Sequence, residues 1–266
     1  MKNIKISIIT PSYNQAEYLE CTIKSVLEQN YPNLEYIIID GGSTDGSLDI
    51  IKKYESHLAY WVSEPDNGQA HAINKGLKRA SGDWLGWQNS DDLYYPDTFK
   101  GLAEIISKNI HADLIVGNMM LVDSNGNNIR DIKYVQPTYN SLRAEGMVLA
   151  NQSSFWSRSV HSKIGWLNEE LQYSFDYEWF LRLLYVSKAV CSNEMWGAFR
   201  LHGSAKTALN KELFGKENKK ILGVNNMSPL DIRFFKLRRL ILLFIQGDFS
   251  YVLRGMFQRC FSKGDH

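Results

Sequence analysis

Residues 7–47 read SIITPSYNQAEYLECTIKSVLEQNYPNLEYIIIDGGSTDGS, and the spacing of their apolar residues decides the fold. The run KISIIT at 5–10 is short, β-branched and almost unbroken, the pattern of a buried strand. Past Pro11 and Asn14 the period changes. Leu19, Ile23, Val26 and Leu27 fall at i, i+4, i+7 and i+8, one face of a helix, and Tyr31-Pro32-Asn33 ends it. EYIIID at 35–40 is a second strand, closed by Gly41-Gly42. Leu48, Ile51 and Tyr54 then mark a short helix behind a capping cluster of Ser43, Thr44 and Asp45.

The alternation continues outward from there. Residues 60–63 read as a third strand, and Ala70, Ile73, Leu77 and Ala80 as one face of a third helix. Gly82 stops that helix before a fourth strand at 83–88. Pro96 takes the first position of a fourth helix carrying Phe99, Leu102 and Ile106, and a fifth strand follows at 113–117. Regular β-α-β-α order predicts an α/β fold, a mainly parallel central sheet with helices on both faces. Ligands of such sheets bind beyond the carboxyl ends of the strands. Polar residues collect at four of those ends, 10–14, 40–45, 64–68 and 89–92, which points to a nucleotide-type site. Beyond residue 120 the pattern loosens. Asn-Gly within DSNGNN (123–128) predicts a hairpin turn. DYEWFLRLLY (176–185) predicts a helix with Phe180, Leu183 and Leu184 inward. From Pro229 a last helix sets Phe234, Leu237, Ile241 and Phe244 against Arg233, Lys236, Arg238 and Arg239.

With 266 residues, 44% hydrophobic and 22% charged, the composition is that of a soluble globular protein of one large or two small domains, which excludes disordered, collagenous and disulfide-scaffold classes. The longest aliphatic and aromatic run, 240–245, has six residues, against about 18 for a membrane span. The apolar stretch after Lys2 and Lys5 stops at Pro11, too short for a secretory leader. Cys21, Cys191 and Cys260, odd in number and far apart, suggest a reducing compartment and no metal cluster. The net charge of +1 conceals an asymmetry: residues 228–266 hold seven Lys or Arg against three Asp, so the preceding body is slightly acidic. That distribution argues against a nucleic-acid binder and for a tail that meets something anionic. No G-x-G-x-x-G follows any strand and no P-loop is present, which disfavours a Rossmann oxidoreductase.

The opening stretch resembles the N-terminus of glycosyltransferase family 2, the inverting family with the GT-A fold. The resemblance continues through EPDNGQAHAINKGLKRASGDWLGWQNSDD, NQSSFWSRSV, SFDYEWFLRL and FRLHGSAKT, five pieces in order over roughly 5–207. It implies a GT-A domain over 1–210, with a nucleotide-binding half (1–120) and an acceptor-binding half (121–210), followed by a basic amphipathic helical tail (211–266). The implied function is transfer of one sugar, a hexose by expectation, from a nucleotide sugar to a glycan or lipid-linked acceptor. The pathway implied is a bacterial surface polysaccharide such as O-antigen lipopolysaccharide, capsule or exopolysaccharide. Uridine is favoured as the base because it is commonest in the family.

That chemistry must hold a diphosphate, neutralise the charge it gains on leaving, and deprotonate a hydroxyl. A divalent cation, Mn²⁺ or Mg²⁺, does the second task and needs hard oxygen ligands. Asp91-Asp92 offers two carboxylates just after a strand and matches the family's DxD-type element. Asn89 stands where many members have the first Asp, so either Asp91 or Asp92 is the metal ligand, with His202 completing the shell. A pair of Asp that merely caps the turn before Pro96 is the alternative. The resemblance places Thr10, Pro11, Tyr13, Asp40, Asp66 and Asp91 around the nucleotide, with Tyr13 stacking on a pyrimidine. Lys75 is either a phosphate contact or a solvated cation, and His71 a wall or surface residue. Asp176 matches the family's general base, although Phe175 precedes it where many members have Glu; Glu178 is the fallback. Gln152 falls in the acceptor loop, and Trp156, Trp166, Trp179 and Trp196 could stack on sugar rings, although more Trp residues pack cores than bind sugars. The tail reads as an interfacial helix on an anionic leaflet, which puts the enzyme in the cytoplasm, peripheral to the plasma membrane. Its alternative is packing on the sheet or on a second protomer of a homodimer. Two other functional classes compete: a sugar nucleotidyltransferase, whose Gly- and basic-rich loop residues 11–15 lack, and a non-catalytic membrane-associated scaffold that keeps the fold.

Overall fold

The structure, a computed structural model, describes residues 4–204, 206, 211–223 and 227–261, the side chains of 211 and 256–261 excepted. Lys2, Thr207, the expected boundary at 210 and the Cys260 side chain lie outside the described residues. In chain order the elements are β1 (Ile6–Ser12), α1 (Ala16–Leu27), β2 (Leu34–Asp40), α2 (Ser47–Tyr54), β3 (Tyr60–Ser63), α3 (Gln69–Arg79), β4 (Trp84–Trp87), β5 (Leu93–Tyr94) and α4 (Thr98–Lys108). Then come β6 (Leu114–Val122), β7 (Asn128–Ile132), α5 (Tyr139–Glu145), β8 (Ser154–Ser157), α6 (His161–Ile164), α7 (Phe175–Val186) and β9 (Ala189–Arg200). Three further helices follow: α8 (Lys211–Leu222), α9 (Pro229–Ile245) and α10 (Phe249–Phe261).

The strands form one sheet in the order β3-β2-β1-β4-β8-β6-β9-β5, with β7 beside β6. Pairing is parallel through β3-β2-β1-β4 and again between β6 and β9, while β8 runs antiparallel to both β4 and β6. All seven residues of β1 are buried, as a central parallel strand between two helical layers requires. Alternation along β2 separates the layers: Ile37 and Ile39 join the core under α3 and α7, whereas Tyr36 and Ile38 join the core under α1, α2 and α4. Gly76 lets α3 lie against β1, because a Cβ there would stand 2.5 Å from Ile9 Cγ2.

Several details depart from the sequence reading. Helix α4 starts at Thr98, with Asp97 at φ +61° before it, so Pro96 lies in a turn outside the helix. Pairing of β5 with β9 pulls residues 93–95 into the sheet, the Tyr95 N–H donating to Trp196 O. The long strand β9 is hidden in the sequence by Ser192-Asn193-Glu194. These occupy a bulge where the β6–β9 register shifts, and the Asn118 amide donates to Asn193 O across it. Trp156, Trp179 and Trp196 are core residues rather than sugar platforms. Trp156 and Trp179 pack on Trp87 and Phe180 with ring centroids 4.6 to 5.8 Å apart, and Trp196 packs on Phe155. Trp166 stacks on His161 at 4.3 Å.

The tail is not packed through its apolar stripe. Phe234, Leu237, Ile241 and Phe244 point outward, and Leu230, Ile245, Phe249 and Leu253 extend that exposed face. The helix is held to the body by its other side. Leu243 and Val252 bury against Val135, Arg238 donates to Gln136 O, and Arg239 pairs with Glu145 at 3.2 Å. The alternative in which Phe234 to Phe244 pack on the sheet is therefore overturned. No helix among the described residues is long and apolar enough to cross a membrane.

Candidate active site

The carboxyl ends of β1, β2, β3 and β4 open into a cavity of about 900 Å³, walled on the far side by residues from β6, β9, the 147–152 segment and the start of α7. Its first end is built by loops that lock one another. The Asp45 carboxylate accepts the Ala16 and Ser47 N–H groups, so one side chain ties the starts of α1 and α2 together. Asn14, at φ +50°, accepts the Thr44 N–H. Pro11, Ser12 and Tyr13 line this end with Gly41, Gly42 and Asp66, and the Tyr13 ring is 62% exposed there. Gly41 makes that packing possible: a Cβ would stand 2.7 Å from Asp66 Oδ2 and 3.3 Å from Tyr13 Cδ2. The Ser12 hydroxyl and the Asn151 amide nitrogen, both on the cavity wall, have no partner within the described protein, which suits groups that meet a polar ligand.

Not every residue singled out in the sequence reaches the cavity. Thr10 is buried, its hydroxyl bonded to the Tyr36 hydroxyl at 3.0 Å. Asp40 is fully buried, and its oxygens accept the Gly42 and Ser43 N–H groups and the Ser43 and Ser63 hydroxyls. It braces the turn after β2 and is absent from the cavity wall. Lys75 pairs with Glu64 at 2.8 Å outside the cavity. His71, in the first turn of α3, accepts the Asn67 N–H of the loop before it. Glu178 is held bidentately by Arg182, so the fallback base is already engaged.

Asp91 and Asp92 diverge in space. Asp92 is fully buried: Oδ1 accepts the Arg200 N–H, and Oδ2 accepts from Gln152 Nε2 and Asn89 Nδ2. Burial, then the neighbouring Asp91 charge, push its carboxyl well up from the usual range. Asp91 instead faces the cavity. The end of β9 brings its partner, since Arg200 Nε donates to Asp91 O and two residues later His202 Nε2 lies 3.1 Å from Asp91 Oδ2. Tyr18 packs on the imidazole at 4.6 Å. The described residues hold no cluster of three His, Cys, Asp or Glu for a metal. One carboxylate and one imidazole nevertheless form a donor pair that fits Mn²⁺ better than Mg²⁺, with the rest of the shell left to phosphate oxygens and water.

Across the cavity Asp176 stands in the first turn of α7. Burial pushes its carboxyl up to about 6. The Tyr177 N–H and the Lys206 cation oppose the rise, and the Glu217 carboxylate adds to it. The wall that carries Asp176 also holds Tyr134, Met147, Leu149, Phe199 and Phe214, beside the polar Asn151, Gln152 and Lys206. Lys206 and Phe214 were not legible as site residues. Phe214 belongs to α8, on the tail side of the expected boundary at 210, and no local pattern marks it. Gln152 lies on the wall while its amide holds Asp92, so one side chain joins the Asp91-Asp92 turn to the 147–152 segment.

Comparison with known proteins identifies the family and the fold. An uncharacterized glycosyltransferase of Rickettsia typhi is 31% identical over 221 residues, which cover 77% of this chain and 67% of that one. TuaG of Bacillus subtilis, assigned to teichuronic acid biosynthesis, is 42% identical over 106 residues, 38% of this chain and 41% of its own. Among solved structures, Staphylococcus aureus TarS (residues 1–349) in complex with UDP-GlcNAc matches the fold with a TM-score of 0.69 at 19% identity. The match covers 87% of this chain and 70% of that one. The sheet with its flanking helices is the GT-A fold. The Glycosyl transferase family 2 model matches residues 7–164, and the chain belongs to that family.

Proposed function

We propose that the chain is an inverting transferase that moves one hexose from a nucleotide sugar, a UDP-sugar by preference, to a hydroxyl of a glycan or lipid-linked acceptor. The observation that carries this reading is the pairing of Asp91 and Asp176 on one cavity whose other end holds Tyr13 and Asp66. The nucleotide lies at the β1–β2 end, with Tyr13 against the base and Asp66 toward the ribose. The diphosphate reaches the Asp91–His202 pair, which would hold Mn²⁺ or Mg²⁺. When bound, such a cation supplies charge neutralisation for the leaving diphosphate.

Asp176 acts on the acceptor. Its carboxylate takes the proton of the acceptor hydroxyl as that oxygen bonds to the anomeric carbon from the face opposite the phosphate. The carbon–oxygen bond to the β-phosphate breaks, and its electron pair leaves on the nucleoside diphosphate. The apolar side chains of the cavity suit the hydrocarbon faces of a sugar ring.

Within this reading residues 1–120 serve the donor, residues 121–210 together with α8 serve the acceptor, and α9 and α10 serve location. TuaG supports placing the enzyme in assembly of a cell-surface polysaccharide. The exposed apolar stripe of α9 and α10, with Arg233 and Lys236 exposed on α9, supports a peripheral position on the inner, anionic face of the plasma membrane. A homodimer through the same stripe is disfavoured, because the exposed Arg233 and Lys236 of α9 would face like charges of the second copy. Proton NMR of the sugar released from UDP-N-acetylglucosamine or UDP-glucose with water as acceptor tests the chemistry. Both donors are α-linked, so the β-anomer must appear first; first appearance of the α-anomer contradicts inversion.

A further inference from the structure

Glu217, on α8, makes no contact with the cavity, yet its carboxylate accepts three consecutive backbone N–H groups of the segment that delivers Asp176. Oε1 takes the Gln172 N–H at 2.9 Å, and Oε2 takes those of Tyr173 at 2.9 Å and Ser174 at 2.8 Å. Ser174 precedes α7 and makes no capping hydrogen bond with its own side chain. The segment leading into α7 is thus anchored from another helix, 43 residues away along the chain. Three backbone donors meeting one anion just before a helix N-terminus is a strong local arrangement, since each bond is charge-assisted and the helix dipole favours the negative charge. The contact extends beyond it. Tyr173 packs on Phe214 with centroids 5.2 Å apart, and the Lys206 ammonium lies 5.2 Å from the Tyr173 ring centre.

We propose that Glu217 is the positioning residue for Asp176, fixing segment 172–174 so that the base faces the acceptor side of the cavity, and that α8 is therefore part of the catalytic unit. The proposal rests on the reading of Asp176 as the base. Among the described residues the Asp176 carboxylate accepts the Tyr177 N–H next to it, so its direction is tied to the backbone of the first turn. Of the charged groups around it, Lys206 and Glu217 face it, while Glu178 on its own helix is turned to Arg182. With Glu217 removed, the segment loses its anchor and Asp176 loses a neighbouring anion. Displacements of about 1 Å in a reacting group cost on the order of 100-fold in rate.

The test uses the full chain and Glu217→Ala, Glu217→Gln and Glu217→Asp, each checked for folding by circular dichroism. Amide hydrogen exchange at 172–174 and the ¹³C titration of the Asp176 carboxyl need no substrate. In Glu217→Ala, protection at 172–174 falls about tenfold or more and the Asp176 midpoint drops. Glu217→Gln, which keeps one acceptor but no charge, drops the midpoint with a smaller loss of protection, and Glu217→Asp restores both in part. Release of UDP from UDP-N-acetylglucosamine or UDP-glucose follows kcat, which falls about 10- to 100-fold in Glu217→Ala while UDP affinity holds within about twofold. Unchanged protection and an unchanged midpoint in folded Glu217→Ala and Glu217→Gln overturn the proposal. Wild-type turnover of these donors that survives in Asp176→Asn overturns the reading of the base instead, and the two failures are told apart by the exchange data.

Discussion

If Asp176 takes the acceptor proton, only its ionised form works, and turnover follows the ionised fraction. With the carboxyl at about 6, about 9% is ionised at pH 5, about half at pH 6 and about 91% at pH 7, so kcat rises about tenfold from pH 5 to pH 7. An ordinary aspartate near about 3.9 is already more than about 90% ionised at pH 5 and gives a flat profile over the same interval. Asp176→Asn keeps the shape and removes the base, and kcat falls by about 100- to 10,000-fold. The same shift has a signature in stability. A carboxyl raised on folding is favoured protonated, so the wild type loses stability as pH rises from its unfolded value toward about 6. Asp176→Asn escapes that loss and is more stable than the wild type at pH 7, by up to about 3 kcal/mol. Release of UDP from UDP-N-acetylglucosamine or UDP-glucose at saturating donor, from pH 4.5 to 8, measures the first effect, and denaturant melts at pH 4 and 7 measure the second. A flat kcat profile in the wild type, or wild-type kcat in Asp176→Asn, refutes the assignment.

Other perturbations separate structural from chemical carboxylates. Asp92→Ala strips the acceptor from Gln152, Asn89 and the Arg200 N–H and lowers stability by about 1–3 kcal/mol in urea melts, whereas Asp91→Ala melts like the wild type. Glu35, half-buried beneath Lys5, Ser7 and Ser81, resists the upward push of burial because those partners hold its carboxyl at about 2. Its depressed value stabilises the fold above the unfolded value of 4.5, and that contribution fades as pH falls toward about 2. Glu35→Gln costs about 1–3 kcal/mol at pH 7 and nearly nothing at pH 2 in melts that compare the two proteins. On the tail, Phe234→Ser with Ile241→Ser abolishes flotation with phosphatidylglycerol vesicles while UDP binding is kept; the wild type floats with these and less with phosphatidylcholine alone.

The sequence was most legible where one period rules. Strands β1 and β2 are apolar runs closed by Pro, Asp or Gly, and α1 and α3 carry their stripes at helical spacing, so the donor half followed from local pattern. Strand β9 did not, because Ser192-Asn193-Glu194 break its alternation at a bulge that only pairing with β6 explains. Strand β5 is two residues long and has no period at all. In the site, residue type revealed carboxylates but not their direction. Asp40, Asp91 and Asp92 all follow strands, yet Asp40 and Asp92 are consumed by backbone and amide donors and only Asp91 faces the cavity. Lys206, Phe214 and Glu217 come from segments remote in sequence from Asp176, and Phe214 and Glu217 reach the start of α7 only when α8 folds back on it. The stripe of α9 was legible as amphipathic. Which side meets the body was not, since Arg238 and Arg239 turn inward to Gln136 O and Glu145.

The central claim is that the Asp91–His202 end of the cavity takes a metal-bound nucleoside diphosphate. Thermal shift with UDP, GDP, dTDP and CMP, each with and without Mn²⁺, tests it without knowledge of the acceptor, on the wild type and on Asp91→Ala. A ligand at about 100 times its dissociation constant adds about 2.7 kcal/mol to the folded state, a readable rise in melting temperature. The account predicts a Mn²⁺-dependent rise with one diphosphate, UDP before GDP, that disappears in Asp91→Ala; no rise with any nucleotide, or one that Asp91→Ala leaves intact, contradicts it.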